Sequence, residues 1–272
     1  MKLSIITVNL NNYDGLRQTI DSVISQTFTD FEWIVVDGGS SDGSQELIES
    51  NSVHFTWWVS EPDSGVYNAM NKGVAHTTGD YLLFLNSGDR LNDKNTLQKV
   101  FSFNYSDDIL YGDCIFDKNG QKTITRVKED NLSLYSLVHT GFFHPATFIR
   151  RNLLIDNPYN ERYKIVSDME FFLKQYISGK SFHHLDLVVA KFDTTGMSCT
   201  ETELIEQERQ TVFNELLPQY VINELTFTDE FVEGQLSEVR RLRDKGKIFK
   251  ALVSFNVICM RIIARILSKQ KR

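Results

Sequence analysis

The sequence predicts an α/β fold: a doubly wound, mainly parallel sheet, a mixed second half and a C-terminal helical extension. Three observations predict it. Apolar runs of strand length alternate with helically spaced apolar residues from Leu3 to Leu85. Each run stops in a polar turn, and past Arg90 the alternation loosens. The 272-residue chain, 41% hydrophobic and 24% charged, has the composition of a soluble globular protein, which excludes disordered and collagen-like architectures.

Leu3 to Val8 reads as the first strand, and its apolar stretch is too short for a signal peptide. Leu16, Ile20, Val23 and Ile24 follow at helical spacing after the Asp14-Gly15 break. Phe31 to Val36 is a second buried strand, ending in the turn Asp37 to Ser44 that leads into a short helix from about Gln45. A third strand around Phe55 to Val59 runs into Glu61-Pro62-Asp63-Ser64-Gly65, and Val66 to Ala75 reads as helix. Tyr81 to Leu85 is an unbroken apolar run, expected of a strand buried on both faces. The β-α-β-α-β-α-β order implies right-handed crossovers and parallel pairing.

The second half expects a helix from Asn92 or Lys94 to Phe101, a strand Ile109 to Phe116, and a hairpin turn at Asp117 to Gly120 with a return strand near Lys122 to Val127. Ala146 to Ile149 is a strand, Ser167 to Ile177 a helix and Leu185 to Phe192 a strand, with helix from Glu201 onward. Without repeats or low-complexity linkers, residues 1–200 form one α/β domain (halves 1–91 and 92–200) and 201–272 a helical region.

Cys114, Cys199 and Cys259 lie far apart in no metal-ligand spacing, which suits a reducing cytosol and small buried apolar groups. The net charge of −7 hides an asymmetry: Arg240 to Arg272 carries eleven basic residues against Asp244 alone, a net of +10, leaving −17 on residues 1–239. So acidic a body argues against a nucleic-acid groove.

In parallel sheets ligands collect outside the carboxyl ends of the strands. Thr7-Val8-Asn9, Asp37, Glu61 to Asp63 and Asn86 to Asp89 all fall at such ends, so they converge on one edge. Asn, Ser, Gly and Asp are also ordinary turn formers, and Asp42 fits a helix-capping carboxylate. No Gly-x-Gly-x-x-Gly follows the first strand, which weakens a nicotinamide-binding reading.

Ser4 to Asn9, the helix ending Ser25-Gln26-Thr27-Phe28, Phe31 to Ser44 and Gly79 to Leu91 together resemble the family 2 glycosyltransferases of the GT-A fold. Glu61 to Gly73 is similar to a branch that builds bacterial surface polysaccharides. The resemblance covers about residues 1–200 and is densest before residue 92. It implies an inverting enzyme that moves a sugar from a nucleotide diphosphate to a hydroxyl of a growing, lipid-linked glycan.

The same resemblance implies a nucleotide-sugar site of Thr7, Asn9, Asp37, Asp63, Lys72, Ser87 and Asp89, with Asp89 binding Mg²⁺ or Mn²⁺. Asp37 matches the first acid of a pair that holds the nucleoside, but Gly38 stands at the second. In the metal motif Asn86 and Gly88 stand where acids are common. Asp168 matches the general base, with Glu170 as the fallback, although Ser167 and Glu170 also have the spacing of a capping box. Tyr111, Asp113 and His144 match the acceptor side; a histidine among aromatics is more often a hydrogen-bonded wall residue. His183 and His184 carry no functional expectation.

Within Arg240 to Arg272, Phe249, Leu252, Val253, Val257, Met260, Ile263, Ala264 and Leu267 share one helical face, beside Lys250, Arg261, Arg265 and Lys269. Its longest apolar stretch, Ala251 to Met260, is too short to span a bilayer. A basic amphipathic helix reads as an interfacial anchor, which predicts a cytoplasmic enzyme peripheral on the inner face of the membrane. A helix packed on the domain or in a dimer is the alternative. Two other functions compete: a non-catalytic nucleotide-sugar-binding or scaffold protein, motivated by Gly38, Asn86 and Gly88, and a nucleotidyltransferase, which would want an early glycine- and basic-rich loop.

Overall fold

The computed structural model describes residues 3–118, 121–125, 132–139 and 141–226. β1 (Leu3–Asn9) is buried along its whole length and pairs in parallel with β2 (Phe31–Asp37) on one side and β4 (Tyr81–Phe84) on the other. That explains its run of apolar residues without alternation, because helices cover both faces of such a sheet. β3 (Trp57–Ser60) pairs in parallel with β2. The sheet therefore runs outward from β1 in both directions, and the loops after β1 and β4 flank the switch point where ligands are expected.

Three crossovers complete this half: α1 (Tyr13–Ile24), α2 (Ser44–Ser50) and α3 (Val66–Ala75). α1 buries Leu16, Ile20 and Val23, as their spacing predicts. Asn12 caps it by accepting from the Gly15 N–H at 3.1 Å. α3 lies close to the sheet, since a Cβ on Gly73 would stand 2.6 Å from Ile6 Cγ2. At the opposite edge of the sheet Glu32 is buried, and its carboxylate accepts from Ser4 Oγ at 2.6 Å, the Gly79 N–H at 2.9 Å, and the Thr78 N–H and hydroxyl.

The second half adds β5 (Arg90–Leu91), α4 (Thr96–Val100), β6 (Ile109–Lys118), β7 (Gln121–Thr125), α5 (Leu134–His139), β8 (Thr147–Arg150), α6 (Arg151–Asp156), α7 (Ser167–Ile177), β9 (Phe182–Phe192), α8 (Met197–Thr200) and α9 (Thr202–Leu216). The strand order is β3-β2-β1-β4-β8-β6-β9-β5, with β7 paired to β6. β8 is antiparallel to β4 and β6, while β6 and β9 are parallel with a register shift around Asp113. The expected mixed second half is thus present.

Several boundaries differ from the sequence reading. The third strand starts at Trp57, because Phe55 turns into the core and meets Trp33 edge-on at 4.8 Å. β9 begins three residues early at Phe182, where it pairs with Ile109. β5, α5 and α6 had no signal in the sequence. The chain divides into two compact units, residues 1–212 and 213–272, and residues 1–91 and 92–200 both fall within the first. Among the described residues no helix is long and apolar enough to cross a membrane, and the basic segment 240–272 lies outside them.

Candidate active site

The loops after β1 and β2 are laced together. Asn11, at φ 49°, accepts from the Ser41 N–H through its Oδ1, and its own N–H donates to Ser40 Oγ. Asp42 accepts from the N–H groups of Tyr13 and Ser44, so it is a loop and helix-end carboxylate, as its position before a helix suggested. Burial alone would raise its carboxyl, and the bonds from Ser44 and Tyr13 outweigh that and lower it.

Asp37 is fully buried, and its carboxylate accepts from Asn9 Nδ2 at 2.7 Å, Ser60 Oγ at 2.6 Å, Ser40 Oγ, and the N–H groups of Gly39 and Ser40. Burial pushes its carboxyl up, and the bonds from Ser40, Ser60 and Asn9 more than reverse that, holding it below the usual 3.8. With five donors on two oxygens, Asp37 braces the loop and exposes no oxygen to a nucleoside. Asn9 keeps one, a buried Oδ1 with no hydrogen-bond partner. Thr7 faces the core, where its hydroxyl accepts from Trp33 Nε1 at 3.0 Å, and is therefore structural.

The glycine at 38 has a local cause. A Cβ there would stand 2.6 Å from Asp63 Oδ2, so Asp63 occupies the space into which a second acid would project. Asp63 is held by the Gly65 N–H at 2.9 Å, and nearby Lys72 is tied to Glu61 at 2.7 Å.

Beyond β4 the chain turns into a cavity of about 430 Å³, walled by α3, the loop Asn86 to Asp89, Phe142 to Pro145, Lys164 to Asp168 and the segment after β9. Thr19 of α1 fixes the turn: its hydroxyl accepts from the Gly88 N–H and lies 2.8 Å from the Asp89 carbonyl. Gly88 has φ +103°, and a Cβ on it would meet Asp193 Oδ2 at 2.2 Å. An acid at 88 is therefore excluded, and Asp193, from the end of β9, supplies a carboxylate at that turn instead. The sequence reading missed Asp193, whose only signal was its place after a strand.

Asp89 is buried and accepts from the Asp193 N–H at 2.9 Å. Burial raises its carboxyl to about 7, the Asp193 charge adding and the Asp193 N–H opposing. Asn86 shares the cavity wall, with a buried Oδ1 that has no partner. An orphan amide oxygen beside a carboxylate fits a hard cation that takes its other ligands from phosphate and water, although the described residues hold no cluster of three or more metal-ligating side chains.

Asp168, in the first turn of α7, lines the same cavity with a quarter of its side chain exposed. Its Oδ1 lies 3.0 Å from Tyr67 Oη and accepts from the Met169 N–H at 2.9 Å; its Oδ2 lies 3.8 Å from His144 Nδ1. The expected Ser167/Glu170 capping box is absent. Ser167 Oγ accepts from the Asn160 N–H, and Glu170 pairs with Lys174 at 3.0 Å. The chain entering α7 is held instead by Glu208 of α9, whose carboxylate accepts from the N–H groups of Lys164, Ile165 and Val166. Nothing in the sequence pointed to Glu208.

The sequence profile of the family described as "Glycosyl transferase family 2" matches residues 4–163. The chain belongs to that family. A glycosyltransferase of Mycobacterium tuberculosis described as uncharacterized is 31% identical over 222 residues, 79% of this chain and 81% of the relative. A PGL/p-HBAD biosynthesis glycosyltransferase of Mycobacterium bovis is 32% identical over 206 residues, 71% and 77% of the two chains. Among solved structures, Staphylococcus aureus TarS 1-349 with UDP-GlcNAc superposes with TM-score 0.62 at 22% identity. It covers 74% of this chain, which spans 61% of that one. Glucosyl-3-phosphoglycerate synthase of Mycobacterium tuberculosis with Mn²⁺ and UDP superposes with TM-score 0.56 at 16% identity, covering 80% and 81%. These likenesses show that the glycosyltransferase has the GT-A fold.

Of its expected site residues, Asp89, His144 and Asp168 share the cavity. Asn9, Asp37, Asp63 and Ser87 lie at strand ends and in the loops after them, and Lys72 in the last turn of α3, all outside its walls; Ser87 receives Asn12 Nδ2 on its carbonyl at 3.1 Å. Tyr111, Asp113 and Glu170 line neither this cavity nor the recess of about 220 Å³ on the other side of Asp168. Tyr111 is buried against the rings of Phe142 and His184, and Asp113 pairs with His184 at 3.1 Å inside the β6/β9 layer. His184, given no role from sequence, thus partners a buried carboxylate.

Proposed function

We propose that this glycosyltransferase moves a sugar, with inversion, from a nucleotide-diphosphate sugar to a hydroxyl of a lipid-linked surface glycan, with Asp168 as the base. The observation that carries this reading is one cavity bordered by Asn86, Asp89 and a partly exposed carboxylate, Asp168. A sugar held in such a cavity has a carboxylate for an incoming hydroxyl and Asn86 and Asp89 for a leaving diphosphate within one space, and a single inverting displacement needs both. Neighbours of the same fold solved with UDP-GlcNAc, UDP or GDP-Man support the donor class.

In the displacement the acceptor O–H breaks as its oxygen bonds to the anomeric carbon. The bond from that carbon to the diphosphate breaks with its electron pair on the departing oxygen. Asp168 receives the proton, a role worth about 10² to 10⁴ in rate. Asn86 and Asp89 are the residues that would hold Mg²⁺ or Mn²⁺, which when bound offsets charge on the diphosphate. Asp63 remains to meet the nucleoside, since Asp37 is saturated and Asn9 Oδ1 is buried. The enzyme works at the inner membrane face, drawn there by its basic segment 240–272.

The test is nucleoside diphosphate release from UDP-GlcNAc, UDP-glucose and GDP-mannose with Mn²⁺. Asp168→Asn should bind the donor as the wild type does and turn over about 10²-fold or more slowly. Retained turnover would remove Asp168 as base. Donor binding without any release by the wild type would favour the non-catalytic reading.

A further inference from the structure

We propose that Tyr159 and His144 are positioning residues that fix an N–H toward Asp168 Oδ2, leaving one lone pair of that oxygen as the site that takes the acceptor proton. This rests on Asp168 being the base. It follows from a count of donors and acceptors around three side chains.

A carboxylate offers about four lone-pair positions. On Asp168, Oδ1 accepts from the Met169 N–H and lies 3.0 Å from Tyr67 Oη. Tyr67 also lies against the Ile165 carbonyl, so its single proton sits between that carbonyl and Oδ1. Among the described residues Oδ2 accepts no hydrogen bond, and His144 Nδ1 lies 3.8 Å from it.

Which His144 nitrogen carries the proton is decided on the far side of the ring. Nε2 lies 2.9 Å from Tyr159 Oη, and both residues are buried. Burial holds the Tyr159 phenol well above its usual range, with the Asp168 charge adding, so it stays protonated and must donate. His144 Nε2 is its hydrogen-bond partner, so Nε2 accepts. Burial also lowers His144, against the pull of Asp168, so the ring carries one proton, and that proton is on Nδ1. Were Nε2 protonated, the Tyr159 hydroxyl would be a buried donor without an acceptor and a lone pair of Nδ1 would face the carboxylate.

At 3.8 Å the Nδ1–H to Oδ2 contact is longer than a hydrogen bond, and a shift of about 1 Å closes it. Apo sites often show such slack. The remaining titratable groups lining the cavity are Tyr67 from α3, Lys164, Asp89 and Cys199; the rings of Phe84 and Phe172 pack on His144. None of these supplies another donor to Nε2.

The test uses the full chain with ¹⁵N-labelled histidine. Long-range ¹H–¹⁵N correlations report the tautomer, and His144 is assigned by loss of its signals in His144→Asn. The expected result is the Nδ1–H form at neutral pH, changing to a mixture in Tyr159→Phe. An Nε2–H ring in the wild type, or an unchanged tautomer in Tyr159→Phe, overturns the proposal. Release of UDP or GDP from UDP-GlcNAc, UDP-glucose and GDP-mannose with Mn²⁺ then reads the consequence. His144→Phe should lower kcat about tenfold at unchanged KM and move the acid limb of the pH profile up by about one unit. His144→Asn, whose amide N–H overlays Nδ1–H, should restore the limb. An unmoved limb in His144→Phe sinks the proposal, whereas retained turnover in Asp168→Asn sinks the assignment of the base itself.

Discussion

Asp37 and Asp89 both stand at the carboxyl edge of the sheet, and their surroundings treat them in opposite ways. Asp37 receives five donors and is held below the usual 3.8; Asp89 receives few and is raised to about 7 by burial. An acid whose folded value is lowered binds fewer protons folded than unfolded. Its contribution is complete above the unfolded value and fades as pH falls through the folded one. The wild type should therefore lose stability below about pH 4 with a steeper slope than Asp37→Asn. At neutral pH that variant should be less stable by about 1–3 kcal/mol, because buried donors lose acceptors. Urea unfolding at neutral and acid pH measures both. At Asp89 the expectation concerns ligands. With Mn²⁺ and UDP or GDP at one hundred times Kd, thermal shift should show about 2.7 kcal/mol of stabilisation, lost in Asp89→Ala without change to the free protein's fold. Stabilisation of Asp89→Ala equal to that of the wild type would remove Asp89 from the proposed metal site.

At the scale of elements, α7 presents Asp168, and its entry is held by a helix distant in sequence. Glu208 accepts from three consecutive N–H groups, those of Lys164, Ile165 and Val166, at 2.8 to 3.3 Å. Glu208→Ala should cost about 1–2 kcal/mol, as loss of a helix cap does, and should lower kcat more than KM. Unchanged stability and kcat would show that the α7 entry holds itself. This contact also marks where the sequence stopped being legible. Val66–Ala75 and Ser167–Ile177 were readable to the residue because several turns of apolar periodicity outweigh local ambiguity. Leu134–His139 and Arg151–Asp156 are too short to show a period. The Ser167/Glu170 spacing misled because a local rule lost to tertiary partners, Asn160 and Lys174. Asp89 was legible as a carboxylate at a strand end, a local signal, whereas Asp168 and His144 were named from the family resemblance. Asp193, Glu208 and the Asp113–His184 pair were not legible, since each depends on which distant segment packs beside it.

The whole molecule carries its charge unevenly: −17 on residues 1–239 and +10 on residues 240–272. An acidic body is repelled by an anionic leaflet, so attraction to a membrane must come from the basic segment, at about 1 kcal/mol per basic residue near the surface. Its apolar positions, among them Leu252, Val257, Met260 and Ile263, recur at helical spacing and would add a contribution that salt does not screen. Binding of the intact chain to vesicles containing phosphatidylglycerol should thus weaken with salt, as the Debye length falls below about 8 Å, without vanishing. Deleting residues 247–272 removes Lys247, Lys250, Arg261, Arg265, Lys269, Lys271 and Arg272 together with those apolar positions. The shortened chain should leave the vesicles while nucleoside diphosphate release in solution persists, because Asn86, Asp89, His144 and Asp168 all lie in the unit of residues 1–212. Co-sedimentation with vesicles and release in solution, measured on the same preparation, separate the outcomes. If the deletion instead causes aggregation or abolishes release, the segment serves the fold or a dimer, and the source of membrane attraction proposed here is lost.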